Sequence, residues 1–349
     1  MSDSSLLVVN VGSSSVRLTE LVEGRRRDRH LEATDASALA VIEIEPALVI
    51  HRLVHGGPRL RATTELDDAA QAELRLRVEL APLHLPRELA WVEAARRRWP
   101  RARQLGAFDT AFYADLPAAA ATYALSAELR RRFDLLRYGF HGLAHQSMLR
   151  QLPGYARVIS FQLGSDASAT ASRDARPLDT SMGFSPLEGL VMATRPGDLD
   201  AGILLHLLRA GWPPADLERL LEHEAGLRGL AGDGDMRALL ARSDREAQLA
   251  IDVYVHRARR YLGAFLAVLG GCDAIAFGGG VGENAPAIRA AILAGAEWAG
   301  IRLDATANAR GHGRISSPDS AVAVHVTPVD EAAVLADEAN AFVTPGRPR

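Results

Sequence analysis

The feature that most constrains the fold of this chain is a pattern that occurs twice. Residues 6–18 are predicted to form an apolar strand, a Gly/Ser turn and a returning strand, and residues 158–171 repeat that order. A turn of small hydroxyl residues with unused backbone N–H groups is typical of an anion-binding concavity, although an ordinary hairpin has the same composition. We interpret the repeat as a weak internal duplication, which predicts two similar halves with a cleft between them.

The length and the composition predict two domains and exclude several kinds of chemistry. A chain of 349 residues is too long for one hydrophobic core. Its 48% apolar and 24% charged residues are typical of a globular protein, and a net charge of −3 gives no electrostatic reason to expect nucleic-acid or membrane partners. The sequence contains arginine but no lysine, which excludes a lysine-dependent phosphate loop and Schiff-base catalysis. Anions must therefore be bound by arginine, histidine, backbone N–H groups or a metal ion.

Cysteine usage and the apolar runs indicate the compartment. Cys272 is the only cysteine, so the sequence predicts neither a disulfide framework nor a cysteine metal cluster, and we interpret Cys272 as a buried residue at the start of a strand. The N-terminus has no basic segment before its short apolar run, which argues against a signal peptide. No apolar run approaches the ~20 residues that span a bilayer. We therefore expect a cytoplasmic protein.

Residues 178–202 contain too many glycines and prolines to form a simple helix or strand. The glycines permit tight turns and the close approach of a ligand, and Arg195 lies among apolar and acidic residues. Long irregular loops in compact domains tend to be functional, so we predict that Arg195 is a cation positioned for an anionic group. The alternative is a connecting loop in which Arg195 pairs with Asp198 or Asp200.

Two strand ends are predicted to form ligand sites. Residues 47–50 read as a buried strand that leads into His51, Arg52, His55 and a double glycine, the position where open α/β sheets bind ligands. Residues 272–277 read as another buried strand, followed by a glycine run and a helix that Pro286 opens. A strand, a glycine turn and a helix N-terminus together favour an anion or nucleotide site.

The other segments carry weaker signals. Periodicity predicts helices over residues 66–80, 87–99, 128–137, 203–210, 215–224, 245–269 and 332–341. Residues 25–29 are interpreted as a solvated turn and residues 226–237 as a Gly-rich connector. The arginines of residues 96–103 are expected to face the negative end of a helix dipole rather than nucleic acid. The pair His141 and His145 lacks the glutamate and the third ligand of a zinc site.

Nine segments occur in an order that resembles the acetate kinase family, which has the actin-like, sugar-kinase and heat-shock ATPase fold. They are NVGSSSVRL, HRLVHGG, APLHLP, FDTAF, RYGFHGLAH, LDTSMGFSPLEGLVMATRPGDLD, GLRGLAGDGDMR, FGGGVGENAPAIR and TPVDEAAVLA. The resemblance spans nearly the whole chain and implies an α/β fold with two duplicated actin-like ATPase (ribonuclease H-like) domains of ββββαβαβα type. It implies a first domain of residues 1–110 plus 332–349, with a returning C-terminal helix, and a second domain of residues 111–331 that carries the nucleotide site.

The resemblance also implies an activity, which is reversible phosphoryl transfer between ATP and acetate to give acetyl phosphate and ADP, with Mg²⁺ as the cofactor. The catalytic positions of the family correspond to Arg52, Asp109, His141 and Arg195, with the two arginines as clamps and His141 as a donor to the equatorial oxygens. Asp109 and Glu331 match the acidic positions that place Mg²⁺ and orient substrate, and the metal positions are Asn10 and Glu331. The positions that bind the substrate and its methyl group are Arg52, Val54, Leu83, Phe140 and Pro186.

A larger set of residues matches the nucleotide-binding positions. They are Ser13, Ser15, Arg17, Gln162, Leu163, Gly164, Ser165, Asp166, Asp235, Met236, Arg237, Gly280, Val281, Gly282 and Asn284. The chain departs from the family at both hairpin turns. The first turn reads Asn10-Val11-Gly12 where the family usually has Asn-Ser-Gly, and Arg17 replaces its lysine. The second turn, residues 162–166, reads Gln-Leu-Gly-Ser-Asp where the family usually has His-Leu-Gly-Asn-Gly. The segment between the first hairpin and residue 51 is also shorter than usual.

Asp166 is the departure with the clearest physical consequence. Its carboxylate would repel the donor phosphates and weaken ATP binding, or would bind Mg²⁺, or would point to solvent without effect. Two other functions remain open, a propionate or butyrate kinase of the same family and a nucleotide-binding pseudo-enzyme with low activity. The resemblance further implies a homodimer.

Overall fold

The computed structural model describes residues 5–12, 15–32 and 35–344. In this part of the chain the first sheet contains β1 (Leu6–Val11), β2 (Val16–Val22), β3 (Arg25–Leu31), β4 (Leu48–Leu53), β5 (Thr64–Glu65) and β6 (Arg103–Phe108). Their order is β3-β2-β1-β4-β6-β5. β1, β2 and β3 pair antiparallel, and β1, β4 and β6 pair parallel.

The second sheet has the same plan. It contains β7 (Arg157–Leu163), β8 (Ala167–Arg173), β9 (Arg176–Thr180), β10 (Ala274–Gly278), β11 (Gly313–Arg314) and β12 (Ala323–Val326), in the order β11-β12-β10-β7-β8-β9. β7, β8 and β9 pair antiparallel, and β7, β10 and β12 pair parallel. The predicted α/β class and the duplication are therefore confirmed.

Helices connect the strands of both sheets. They are α1 (Asp68–Leu76), α2 (Leu85–Arg98), α3 (Ala118–Ala121), α4 (Ala127–Arg132), α5 (Gly142–Arg150), α6 (Ala201–Arg209), α7 (Pro214–Arg219), α8 (Gly226–Ala231), α9 (Met236–Leu240), α10 (Arg245–Leu269), α11 (Gly279–Asn284), α12 (Pro286–Leu293), α13 (Ala305–Arg310) and α14 (Glu331–Val343). Tighter 3₁₀ turns occur at Ala36–Val41, Val78–Leu80, Asp109–Tyr113 and Glu297–Ala299, and Leu220–Glu224 is π-helical. No helix of the described ranges is both long and apolar enough to cross a membrane.

The chain separates into two compact units. The first is Met1–Ala114 with Phe140–Leu143 and Asp330–Arg349, and the second is Asp115–Gly139 with Ala144–Val329. Each sheet lies within one unit. The functional domain boundaries proposed from the resemblance remain a prediction.

The first sheet is covered on both faces because successive side chains of a strand point to opposite sides. Leu7 and Val9 pack in one cluster with Trp91 and Trp99 from α2 and its end. Leu6 and Val8 belong to the opposite cluster, which includes the following side chains of α14: Val334, Leu335, Ala336 and Ala339. The C-terminal helix therefore completes the core of the first unit.

Four local predictions were wrong. Residues 25–29 are not a turn but part of β3, an exposed edge strand on which Arg29 pairs with Glu20 of β2 at 2.9 Å. Arginines on an exposed edge hide the strand periodicity and discourage pairing with other chains. Residues 226–237 are not a connector, because α8 and the start of α9 lie there, and the predicted helix 128–137 ends at Arg132. The glycines after β10 are not a plain turn, since α11 already begins at Gly279.

Candidate active site

Three parallel strands of the first unit end at the same edge and bring polar side chains together there. Asn10 of β1 lies opposite Arg52 of β4, and Arg52 lies opposite Ala107 of β6. Asp109 follows β6 directly. The sheet register therefore places the amide, the guanidinium and the carboxylate in one row at the carboxyl ends of the strands, where α/β sheets bind ligands.

Arg52 and Asp109 form a buried ion pair. Arg52 Nη2 donates to Asp109 Oδ2 at 2.5 Å, Arg52 Nη1 donates to the carbonyl of Val11 at 3.3 Å, and Asp109 is fully buried. Burial disfavours the guanidinium charge, but the carboxylates of Asp109, Glu331 and Glu88 outweigh it and raise the pKa of Arg52. Arg52 is thus a permanent cation held in a fixed direction.

Glu88 is a residue of this site that the sequence reasoning missed. Its Oε2 accepts a hydrogen bond from the backbone N–H of Val54 at 3.0 Å, and its Oε1 lies 3.9 Å from Arg52 Nη1. Burial raises the pKa of Glu88 to about 7, although Arg52 acts in the opposite direction. The sequence did contain a signal for it, since Glu88 lies on the same face of α2 as the buried Leu85 and Leu89. A carboxylate on a buried helix face usually has a charged or hydrogen-bonding partner.

Oxygens suited to a metal ion occur in the same cluster. Asp109 Oδ1 is buried and has no hydrogen-bond partner, and Asn10 Nδ2 donates to Glu331 Oε2 at 2.6 Å. Within the described ranges, no group of three or more His, Cys, Asp and Glu side chains could hold a metal alone. This donor set still fits Mg²⁺, which usually takes one or two protein carboxylates and completes its shell with phosphate and water.

His141 is attached to this cluster through its neighbour Gly142. A Cβ atom on Gly142 would lie 2.1 Å from the carbonyl oxygen of Asp109 and 2.6 Å from Cβ of Phe112, so only glycine permits this approach. His141 itself has a left-handed φ of 58°, a conformation that histidine tolerates better than bulkier residues. The segment is therefore held against the backbone of Asp109.

The predicted apolar residues of the first unit differ in exposure. Val54 and Phe140 are buried. The rings of Phe140 and His55 pack edge to face, with their centroids 5.5 Å apart. Leu83 is 45% exposed. Pro186 belongs to the second unit, where it is half-buried.

The two histidines beside Arg52 do not add cations. Burial lowers the pKa of both His51 and His55 to about 4. His51 Nε2 lies 2.9 Å from Gln104 Oε1, and His55 Nδ1 accepts from the N–H of Gly57 at 2.8 Å. Both rings are therefore neutral at physiological pH, and Arg52 carries the charge at this strand end.

In the second unit, Arg195 pairs with carboxylates that the sequence reasoning did not name as its partners. Its Nε donates to Glu222 Oε2 at 2.6 Å and its Nη1 donates to Asp166 Oδ1 at 3.1 Å. The alternative pairing was wrong, because Asp198 accepts from Gly189 N–H and Tyr261 while Asp200 caps α6. The alternative in which the Asp166 side chain points to solvent without effect is also not observed, because its carboxylate accepts the hydrogen bond from Arg195.

A second pair of segments is brought together by glycine. Gly278 of β10 lies opposite Gln162 of β7, and a Cβ atom on Gly279 would lie 2.6 Å from the carbonyl oxygen of Leu163. Gln162 Oε1 is buried and has no hydrogen-bond partner. The turn of residues 162–166 and helix α11, with its Gly280, Val281, Gly282 and Asn284, are therefore neighbours, as a phosphate-binding arrangement requires.

The other predicted nucleotide positions are less enclosed. Asp235 caps α9 and pairs with the exposed Arg237 at 2.8 Å, whereas Met236 is buried. In the first hairpin the carbonyl of Ser15 accepts from Gly12 N–H at 2.8 Å, and the side chain of Arg17 is exposed. Ser13 lies outside the described residues.

The irregular loop of residues 181–200 is supported by side chains that sequence reasoning also missed. Glu188 accepts hydrogen bonds from Arg137 Nη2 at 2.5 Å and from the hydroxyl of Tyr123. A Cβ atom on Gly183 would overlap the Glu188 carboxylate. His145 has a separate environment, since its two ring nitrogens contact the hydroxyls of Ser160 and Ser168 at 2.7 and 2.8 Å.

Comparisons with a family model and with known sequences point to the same family. The model of the Acetokinase family matches residues 30–337. An acetate kinase of Streptomyces coelicolor is 39% identical over 399 residues, covering 99% of this chain and 98% of that protein. That alignment is longer than this chain, so the relative has residues without a counterpart here.

Solved structures agree with the sequence comparison. An acetate kinase of Porphyromonas gingivalis superimposes with a TM-score of 0.88 at 32% identity, covering 98% of this chain and 100% of that one. A propionate kinase of Francisella tularensis has a TM-score of 0.87 at 28% identity, covering 97% and 99%. The chain belongs to the acetokinase family.

Proposed function

We propose that this protein transfers a phosphoryl group reversibly between ATP and acetate, giving acetyl phosphate and ADP. The observation that carries the proposal is the buried Arg52–Asp109 pair at the carboxyl ends of β1, β4 and β6, in a member of the acetokinase family. Phosphoryl transfer depends mainly on positioning and on cations. A guanidinium that stays charged and binds oxyanions through two donors suits that need.

The reaction needs little covalent chemistry from the protein. A carboxylate oxygen of acetate attacks the γ-phosphorus of ATP, the bond from phosphorus to the bridging oxygen breaks, and ADP leaves with that electron pair. Acetate is already ionised, so no general base is required. Arg52 would bind the acceptor, Arg195 the phosphoryl oxygens, and His141 would donate a hydrogen bond to the equatorial oxygens.

The cofactor and the remaining subsites are assigned in the same way. Asn10, Asp109 and Glu331 would hold Mg²⁺, which when bound neutralises charge on the phosphates. The side chains proposed around the acetate methyl group are Val54, Leu83, Phe140 and Pro186. The turn of residues 162–166, residues 235–237 and α11 would hold the nucleotide, together with Ser13, Ser15 and Arg17.

Two further candidates each have one observation in their favour. The likeness to a propionate kinase favours propionate as the acceptor, and butyrate is the next longer acid of the same alternative. The Asp166 carboxylate on Arg195 favours a pseudo-enzyme that binds nucleotide with little turnover.

A hydroxamate assay for acyl phosphate, run with ATP, Mg²⁺ and acetate, propionate or butyrate in turn, tests these alternatives. We expect the highest kcat/KM with acetate, and formation of ATP when acetyl phosphate and ADP are supplied. A higher value with propionate or butyrate would move the assignment to that acid. Absence of product with all three acids, in protein that binds ATP, would favour the pseudo-enzyme.

The resemblance also leads us to propose a cytoplasmic homodimer. Large apolar side chains exposed on α6 and next to it support self-association; they are 41% to 51% exposed and are Leu199, Ile203, Leu205, Leu208 and Trp212. Light scattering after size-exclusion chromatography should give twice the chain mass for the wild type and the single mass for Leu205→Glu. A wild-type mass of one chain would contradict the dimer.

A further inference from the structure

Arg195 is held by two carboxylates of unequal character. Glu222 binds Nε at 2.6 Å and its side chain is 15% exposed, whereas Asp166 binds Nη1 at 3.1 Å and is 40% exposed. The Arg195 side chain itself is only 7% exposed. Asp166 therefore makes the longer of the two hydrogen bonds and is the more exposed to water. With both carboxylates ionised, Arg195, Glu222 and Asp166 together carry a net charge of −1.

The backbone that carries Arg195 does not depend on either carboxylate. Ala193 N–H donates to the carbonyl of Ser165 at 2.8 Å, and Ala225 N–H donates to the carbonyl of Thr194 at 3.0 Å. Thr194 Oγ1 donates to the carbonyl of Glu222 at 2.7 Å. Backbone contacts therefore tie the loop to both neighbouring segments, so a side-chain substitution at residue 166 or 222 leaves these contacts intact.

We propose that Asp166 is a resident anion on Arg195 that the phosphoryl group of the substrate displaces, whereas Glu222 is a positioning residue that fixes the direction of the guanidinium. This inference rests on the proposed function, in which Arg195 binds the phosphoryl oxygens. A phosphoryl oxygen on the second N–H of Nη1 would lie close to the Asp166 carboxylate, and the repulsion between the two anions drives the more exposed carboxylate into water. The chain then binds ATP more weakly than the same site would without Asp166.

Asp166→Asn tests the displacement, with Asp174→Asn as the matched control. Both substitutions remove one negative charge, and the two residues lie at opposite ends of β8. Calorimetric titration of ATP with excess Mg²⁺ should give a dissociation constant about three- to tenfold lower for Asp166→Asn than for the wild type, the scale of one half-exposed charge pair and one like-charge repulsion. The control should bind and melt as the wild type does, and Asp166→Asn should melt at most about 4 °C lower, because only one half-exposed charge pair is lost.

Glu222→Gln tests the positioning role. It should lower kcat about tenfold and leave the dissociation constant of ATP within about threefold. The Arg195 guanidinium still binds the phosphate, but its orientation is no longer fixed by the Glu222 carboxylate. General damage to the fold would instead lower the melting temperature and weaken ATP binding together.

Equal or weaker ATP binding by Asp166→Asn would overturn the displacement. Failure of the wild type and of Asp166→Asn to bind ATP would overturn it too, because Asp166 would then not compete with a phosphate. A wild type that makes acyl phosphate while the two dissociation constants agree would refute this inference and leave the proposed function standing. Tighter binding by Asp166→Asn in a protein without turnover would support the displacement and refute the function.

Discussion

Glu88→Gln should stabilise the first unit at alkaline pH, although the residue lies beside the predicted catalytic arginine. Glu88 is buried, and burial raises the pKa of its carboxyl from 4.5 to about 7 in the folded protein. Glutamine has the same shape and still offers an oxygen to the backbone N–H of Val54. The substitution therefore removes the titration and keeps the hydrogen bond.

The sign and the size follow from linkage between protonation and folding. Below pH 4.5 the carboxyl is protonated in both states, so it does not affect the free energy of unfolding. Between pH 4.5 and about 7 the unfolded chain ionises while the folded chain keeps its proton, so the free energy of unfolding falls as the pH rises. Above pH 7 the loss is complete, and a pKa difference from 4.5 to about 7 corresponds to about 3 kcal/mol.

Urea unfolding at pH 5 and pH 8, followed by tryptophan fluorescence, measures this difference. Trp91 and Trp99 are buried in the first unit, whereas Trp212 and Trp298 of the second unit are 41% and 79% exposed, so the signal reports mainly the first unit. Glu88→Gln should be more stable than the wild type by about 3 kcal/mol at pH 8 and by about 1 kcal/mol or less at pH 5. The exposed Glu79→Gln serves as the control and should show no such difference. An equal effect of Glu88→Gln at both pH values would refute the reasoning.

Other predictions concern the site directly. Arg195→Ala should lower kcat roughly 10²–10⁴-fold with an unchanged circular dichroism spectrum, and Arg195→Lys should recover little, because a point charge does not reproduce the guanidinium fork; near-normal turnover would remove Arg195 from catalysis. Arg52→Ala should lower kcat similarly and also cost about 3–5 kcal/mol of stability in urea, since it leaves the buried Asp109 carboxylate unpaired; an unchanged midpoint would contradict this. Val54→Ala should raise the propionate-to-acetate ratio of kcat/KM by tens-fold or less, and an unmoved ratio would place Val54 outside the pocket. Gly142→Ala should lower turnover and thermal stability together, because its Cβ meets the Asp109 carbonyl; wild-type behaviour would show that the contact yields easily.

Features that depend on near neighbours in the chain could be predicted from the sequence. Helix α10 has the predicted bounds because both of its ends are set locally, by the Asp244 side chain at the N-terminus and by left-handed Gly270 at the C-terminus. The repeated strand–turn–strand pattern also predicted the duplicated sheets correctly, since a hairpin joins adjacent segments. The order of the nine motifs was sufficient to recognise the family.

Features that depend on distant partners were decided only by the tertiary structure. Arg195 and Asp166 are separated by 29 positions, and periodicity does not indicate which of several carboxylates an arginine will reach. The site role of Glu88 exists because α2 packs its carboxylate against the strand that carries Arg52. His141 joins the first unit because Gly142 fits against the Asp109 carbonyl. In each case the sequence supplied the chemical group, but burial and close packing, which no local pattern encodes, selected its partner.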